Sequence, residues 1–194
     1  MKLEGTQTLK NLARAFETET RDGAKYQFLR QAAEQQQLNF VANVLKMLST
    51  NEMAHAKIWW DLITNKDKDS LKNIDVKAGF PFDTGDFVEQ FKITMNIEKE
   101  EGETLYLDFA RTAKKEGFAD VAKKFEMVAE VEKTHAQILQ QLYEGLKSGN
   151  LYKSETPVSW KCSGCGYEST DKTAWKPCPA CEVPQGYAIR QGVM

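Results

Sequence analysis

The chain has 194 residues, 41% of them hydrophobic and 28% charged, enough for one ordinary domain or a domain with a small module attached. Its formal net charge of −2 offers no global basic field toward nucleic acid or anionic lipid. The N-terminal MKLEGTQTLKNLARAFE lacks the continuous apolar core of a signal peptide, and no run approaches the ~18 apolar residues of a membrane span; the expectation is a cytoplasmic protein with neither nucleic acid nor membrane among its partners.

Four long helical segments are predicted ahead of the cysteines. The first spans about Thr8 to Gln36 and the second about Leu38 to Asn65; the third spans about Asp86 to Glu116 and the fourth about Phe118 to Lys147. The first pair is joined by a very short turn and the last pair by a turn at Gly117, and connections that short make antiparallel neighbours. Between the pairs lies KDKDSLKNIDVKAGFPFDTG, long enough to cross a helix of ~40 Å and so to cross the bundle. It could equally send half the bundle to a partner, and the sequence leaves both open. After the bundle, expected over 1–147, the polar stretch SGNLYKSETPVS (148–159) reads as a linker. The module that follows, 160–194, is too small to be held by burial alone.

The second helix carries an anomaly. Its seam runs Val41, Leu45, Leu48, Glu52, His55, Trp59, Leu62 in alternating steps of four and three, the apolar stripe a helix turns toward its core. A carboxylate buried there is costly unless paired or bound to a metal. The fourth helix repeats the pattern: Val121, Phe125, Val128, Glu132, His135, Leu139, Leu142, Leu146. His55 and His135 are the only 2 histidines in the chain. In the first helix Leu12, Phe16 and Glu19 share a stripe that continues through Gly23 to Tyr26. In the third, Phe91, Glu98, Glu101 and Leu105 share a face. Glu19 precedes Glu52 by 33 residues and Glu98 precedes Glu132 by 34, as if one helix hairpin were used twice.

Ferritin-like di-iron proteins take a Glu from each of two helices and a Glu-x-x-His from each of the other two. Glu19, Glu52, His55, Glu132, His135 and either of Glu98 and Glu101 meet that pattern, with one carboxylate to spare. Oxygen ligands with two imidazoles suit iron or manganese, and the lack of thiolate there argues against zinc or copper.

All 4 cysteines fall in Cys162-x-x-Cys165 and Cys178-x-x-Cys181, a tetrathiolate metal signature rather than a disulfide framework. By spacing alone zinc is the more frequent occupant; iron in the same cage would carry one electron at a time. Trp160, Tyr167, Trp175 and Tyr187 are expected to form the small core around it.

ETETRDGAKY, NEMAHAK, EKEEGETLYLDFARTAKKEG, AEVEKTHAQIL, WKCSGCGY and CPACEVPQGY, in that order, resemble the rubrerythrin family. The resemblance covers almost the whole chain. It implies an all-α, ferritin-like four-helix bundle with a small C-terminal rubredoxin-like metal module. It implies a di-iron centre held by Glu19, Glu52, Glu98, Glu101, Glu132 and His135, with His55 exchanging for Glu101 on one iron upon reduction. Tyr26 and Tyr106 resemble tyrosines that line the site and hydrogen-bond its carboxylates, and Cys162, Cys165, Cys178 and Cys181 resemble the ligands of a single iron. Leu107 stands where the family usually has Pro, and Gly23 and Ala24 replace common polar residues, which bears on helix geometry and access rather than on the ligands. The implied function is reduction of hydrogen peroxide in oxidative-stress protection. Electrons would come from an external NAD(P)H-dependent reductase or rubredoxin and pass through the module to a partner's bundle in a head-to-tail homodimer. A ferroxidase or iron-handling role, as in ferritins, is the alternative; it would need no attached electron carrier.

Overall fold

The computed structural model describes residues 2–66, 73–80, 82 and 84–192. Helix α1 (Gln7–Gln35) is opened by Thr6, whose hydroxyl accepts from the Leu9 N–H at 3.1 Å and so satisfies one of the helix's orphan donors. Gln37, at φ 58°, turns the chain back into α2 (Asn39–Lys66). The second hairpin begins with α3 (Phe87–Glu100), capped by the Asp86 carboxylate on the Val88 and Glu89 N–H groups. It continues through a π-helical turn (Glu101–Leu105) into α4 (Tyr106–Lys115), and Gly117, at φ 84°, leads to α5 (Ala119–Ser148).

The expected third helix is therefore one rod with a π turn in it. The Tyr106 N–H bonds the Glu101 carbonyl, five residues back. Gly102 lies in this turn: a Cβ there would stand 2.7 Å from the Ala129 carbonyl oxygen of α5, so the rods approach closer than any side chain allows. The extra residue in the turn shifts the inner face by one position. Beyond Gly102 the next buried residue is Tyr106, with Leu105 only half-buried, where the sequence pattern ran through Leu105.

The bundle has an apolar end around Leu12, Trp59, Tyr106 and Phe125 and another around Tyr26, Leu45, Phe91 and Leu139. The carboxylates and histidines lie between them. Ile74 packs at the first end. Lys77 and Gly79 then offer carbonyls to Arg14 (2.6 Å) and Arg21 (3.3 Å) of α1. The described part of the middle connection thus runs up its own bundle along α1. Residues 67–72, 81 and 83 of that connection lie outside the described residues.

The segment read as a linker becomes, from Lys153, the first strand of a three-stranded antiparallel sheet in the order β2-β1-β3: β1 (Lys153–Cys162), β2 (Glu168–Thr173) and β3 (Ala188–Arg190). The pairing slips between Lys153 and Val158, around Pro157, which has no N–H to give a ladder. Trp160, Ala174 and Ala188 form the buried centre, with Tyr152, Val158 and Trp175 against them. Tyr167 meets this core through an edge contact with Trp175. Tyr187 is half-buried and would meet a Cβ at Gly164 at 3.4 Å.

Candidate metal centres

Four helices deliver ligand-type atoms to one level of the bundle. Glu19, Glu52, His55 and Glu132 form one group and Glu52, Glu98, Glu132 and His135 a second, each with its atoms within 4.8 Å of one another. Glu52 and Glu132 belong to both. The remaining members pair by hairpin: Glu19 with His55 on one side, Glu98 with His135 on the other. His55 Nδ1 lies 3.0 Å from Glu132, 3.2 Å from Glu52 and 3.4 Å from Glu19. His135 Nδ1 lies 2.9 Å from Glu132, 3.0 Å from Glu52 and 3.5 Å from Glu98.

The two outer carboxylates are held alike. Glu19 Oε1 accepts from both Trp59 Nε1 (3.0 Å) and the Tyr106 hydroxyl (2.5 Å), leaving Oε2 turned to His55. Glu98 Oε1 accepts from the Tyr26 hydroxyl, leaving Oε2 turned to His135. Both tyrosines are buried, and burial followed by the nearby carboxylate charge pushes their pKa values well above 10, so each remains a hydroxyl donor. Asn51 stands 3.3 Å from His135 Nε2 and fixes that ring with Nδ1 toward the carboxylates.

Burial, reinforced by Glu132 and Glu52 and opposed by His55, raises Glu19 to about 8. Glu98 and Glu101 are likewise driven well above the ordinary carboxylate range, chiefly by burial. Burial also disfavours charge on Glu52, but close pairing with His135 and His55 outweighs it and brings that group to about 2. On the histidines burial is overcome by the surrounding carboxylates, led by Glu132, which lift each to about 12.

The donor set fits a pair of metal ions. Glu52 Oε1, Glu98 Oε2, both oxygens of Glu132 and His135 Nδ1 are buried and, despite their crowding, none has an aligned hydrogen bond. Buried polar atoms left this way are costly; ions bridging them would satisfy all five. Glu101 is the exception. It is buried but outside both groups, and its carboxylate meets Arg21 Nη2 at 3.4 Å.

In the module the four thiols also lie within 4.8 Å of one another. Cys162 and Cys181 sulfurs are 3.8 Å apart and those of Cys165 and Cys178 3.9 Å, and all four cysteines are free. A tetrahedron with metal–sulfur bonds of about 2.3 Å has edges of about 3.8 Å, so the cage has the right size for iron or zinc. Burial opposes ionisation of Cys178, but the N–H groups of Ala180 and Cys181 bring its thiol down to about 7.

The structure thus places together Glu19, Glu52, His55, Glu98, Glu132 and His135, with Tyr26 and Tyr106 on the outer carboxylates, and gathers the four cysteines separately. Trp59, Asn51, Arg21 and Asp22 were missed: Trp59 because it reads as an apolar seam residue, the others because polar helix residues usually face solvent.

The sequence model of the rubrerythrin family matches residues 10–143 and 92–160. Rubrerythrin-1 of Clostridium acetobutylicum is 34% identical over 185 residues, covering 95% of this chain and 94% of that protein. The chain belongs to the rubrerythrin family. Rubrerythrin of Clostridium perfringens is 30% identical over 188 residues, covering 95% of this chain and 94% of its own length. Among solved structures, nigerythrin in a partially reduced state gives a TM-score of 0.62 at 21% identity, covering 97% of this chain and 91% of that one. A mycobacterial bacterioferritin gives 0.61 at 21% identity, with 78% of this chain and 91% of that chain covered. These likenesses establish the fold: a ferritin-like helical bundle with a C-terminal sheet and a four-cysteine cluster of the rubredoxin-like kind. Among the described residues no helix is long and apolar enough to cross a membrane.

Proposed function

We propose that this rubrerythrin-family chain is a cytoplasmic di-iron peroxidase that reduces hydrogen peroxide to water in oxidative-stress protection. Its electrons would come from an external NAD(P)H-dependent reductase or rubredoxin, through the chain's own four-cysteine iron. Residues 1–147 would form the catalytic bundle and 160–194 the electron-carrying module, with 148–159 the connection, of which 153–159 already lie in the module's sheet. The observation that carries the reading is the convergence of buried, unsatisfied carboxylate and imidazole atoms in a chain that also holds a tetrathiolate cage. An iron-storage role leaves that cage without a use.

Glu19 with His55, and Glu98 with His135, would hold one iron each, with Glu52 and Glu132 shared between them. Bound there, a ferrous pair would supply the two electrons that cleavage of the peroxide O–O bond consumes. The protein's part is orientation. Tyr106 and Trp59 keep one oxygen of Glu19 occupied so that the other faces the cluster, and Tyr26 does the same for Glu98. Glu101 and His55 would alternate as ligands, carboxylate suiting ferric and imidazole the softer ferrous state.

Ser163, next to Cys162, hydrogen-bonds Asn39 at the start of α2. Glu52 is 13 residues further along that helix, about 20 Å at 1.5 Å per residue. That separation supports delivery to a second copy's bundle in a head-to-tail homodimer. Met53 and Trp60, one above the other on α2 and each 52% exposed, offer that copy an apolar contact.

Cys178→Ser tests the reading. Iron-replete wild-type protein should contain iron in both centres, and the variant should lose NAD(P)H-linked peroxide turnover. Its bundle, chemically reduced beforehand, should still be oxidised by peroxide in a single turnover. Steady-state turnover that survives the substitution would overturn the relay.

A further inference from the structure

Glu101 is a buried carboxylate of the metal site that stands outside the site's two ligand groups. Its polar neighbours there are Arg21, whose Nη2 is 3.4 Å from Glu101 Oε1, and the Asp22 carboxylate beside it. The guanidinium is itself held: Nε and Nη2 fork onto the Asp22 carboxylate at 3.2 and 2.7 Å, and Nη1 donates to the Gly79 carbonyl at 3.3 Å. The side chains of Arg21, Asp22 and Glu101 are only 10%, 3% and 6% exposed. Together with Arg14, Thr18, Ile97, Glu100 and Leu105, Arg21 and Glu101 line a cavity of about 210 Å³ on this edge of the bundle.

We infer that Arg21 is a positioning residue for Glu101: it provides a charged berth away from the carboxylate–histidine cluster and thereby sets how readily Glu101 joins it. The inference rests on the proposed reading of the cluster as a di-iron site in which Glu101 and His55 alternate.

A carboxylate that leaves a metal inside the protein keeps its charge only beside another positive partner, because an uncompensated charge in the interior is strongly unfavourable. Arg21 is that partner. A guanidinium cannot lose its charge at ordinary pH, so the berth is permanent. Asp22 takes the short, two-pronged contacts, and Glu101 is left with the single longer one. The hold is therefore weak enough to be released. His55, meanwhile, is inside its group in this arrangement, with Glu101 on Arg21. The geometry is that of one member of a two-position element.

Variants of Arg21 and of its neighbour Asp22 have opposite signs. Arg21→Gln removes the berth, so Glu101 should remain with the cluster whether the irons are ferric or ferrous, and His55 should stay out. Asp22→Asn frees the guanidinium from its fork, so Glu101 should stay on Arg21 in both states. Arg21→Lys keeps a cation in place and should restore the exchange.

The test is a pair of crystal structures, air-oxidised and dithionite-reduced, for the iron-loaded wild-type protein and each variant, with iron content measured on the same samples. In wild type Glu101 should lie on the iron when oxidised and on Arg21 when reduced. Arg21→Gln should abolish that movement without loss of iron and slow single-turnover oxidation by peroxide about tenfold. Wild-type exchange that persists unchanged in Arg21→Gln and Asp22→Asn would overturn the role of Arg21 and leave the di-iron reading intact. A wild-type Glu101 that never leaves the iron would overturn the alternation and the berth with it. If Arg21→Gln does not fold, Asp22→Asn still decides, since a merely structural arginine predicts that Glu101 exchanges in that variant as it does in wild type.

Discussion

Glu19 shows how single residues prepare the cluster. One of its oxygens is taken by two donors, Trp59 and Tyr106, and the other is left facing His55 with nothing but burial and charge around it. Without metal, such groups hold protons rather than bare charge. His55 and His135 are lifted from 6.5 to about 12 and Glu19 from 4.5 to about 8, so all three are protonated near pH 7. A raised folded-state pKa stabilises the metal-free fold fully below the unfolded value, and the contribution is lost as pH climbs through the folded value. Glu19 therefore ceases to contribute as pH rises from 4.5 through about 8, and the histidines as it rises from 6.5 through about 12. Metal ligation requires the deprotonated forms, so binding must expel these protons. Anaerobic ferrous binding should thus strengthen from about pH 6 to about pH 8, with at least about one proton released per iron. Calorimetry in buffers of different ionisation enthalpy would measure it. Affinity flat with pH and no proton release would mean that the cluster is not charged as described.

At the level of elements, the π turn of the third rod does what an unbroken helix would not: it brings Glu98, Glu101 and Tyr106 to the inside together. π turns of this kind commonly accompany functional sites. Gly102 permits it, and the atom a methyl group would strike is a backbone oxygen of α5, which cannot rotate aside. Gly102→Ala should cost about 2 kcal/mol, or about 4–8 °C in Tm, and weaken ferrous binding because Glu101 and Tyr106 would be displaced. A thermal melt matching wild type would show that the rods have more freedom than their spacing suggests. The four rods, the Glu-x-x-His pairs and the cysteine knuckles were legible because each interrupts a strong local pattern. A carboxylate in an apolar seam and thiolates at matched spacing both demand an explanation within a few residues. The π turn was not legible, since a lone glycine in a helical run has many readings. Arg21–Asp22 was hidden for a related reason: an adjacent charge pair on a helix looks like a solvated face until the crossover segment closes over it.

For the whole molecule, the relation of module to bundle depends on one crowded contact that no local pattern announces. Gln37, in its left-handed conformation, presents its carbonyl to Gly186, and a Cβ on Gly186 would lie 1.9 Å from that oxygen and 3.0 Å from the Leu38 Cα. Beside it Ser163 donates to Asn39 at 2.9 Å, so the first cysteine loop and the turn at Gly186 both rest on the α1–α2 turn. At the other end of the connection Leu151 packs into the bundle's apolar end and against Gly145. The module is therefore seated rather than tethered, and its cage is held at a fixed height above α2. Gly186→Ala removes the seat without touching a cysteine or the apolar centre of the sheet. The variant should keep its thiolate–iron colour and the bundle's melting temperature, while small-angle scattering reports a larger radius of gyration and the 148–159 segment is cut faster by protease. Ser163→Ala, which leaves the close backbone approach intact, should change neither scattering nor cleavage appreciably. A Gly186→Ala protein with wild-type scattering and wild-type cleavage would show that the α1–α2 turn does not hold the module in solution.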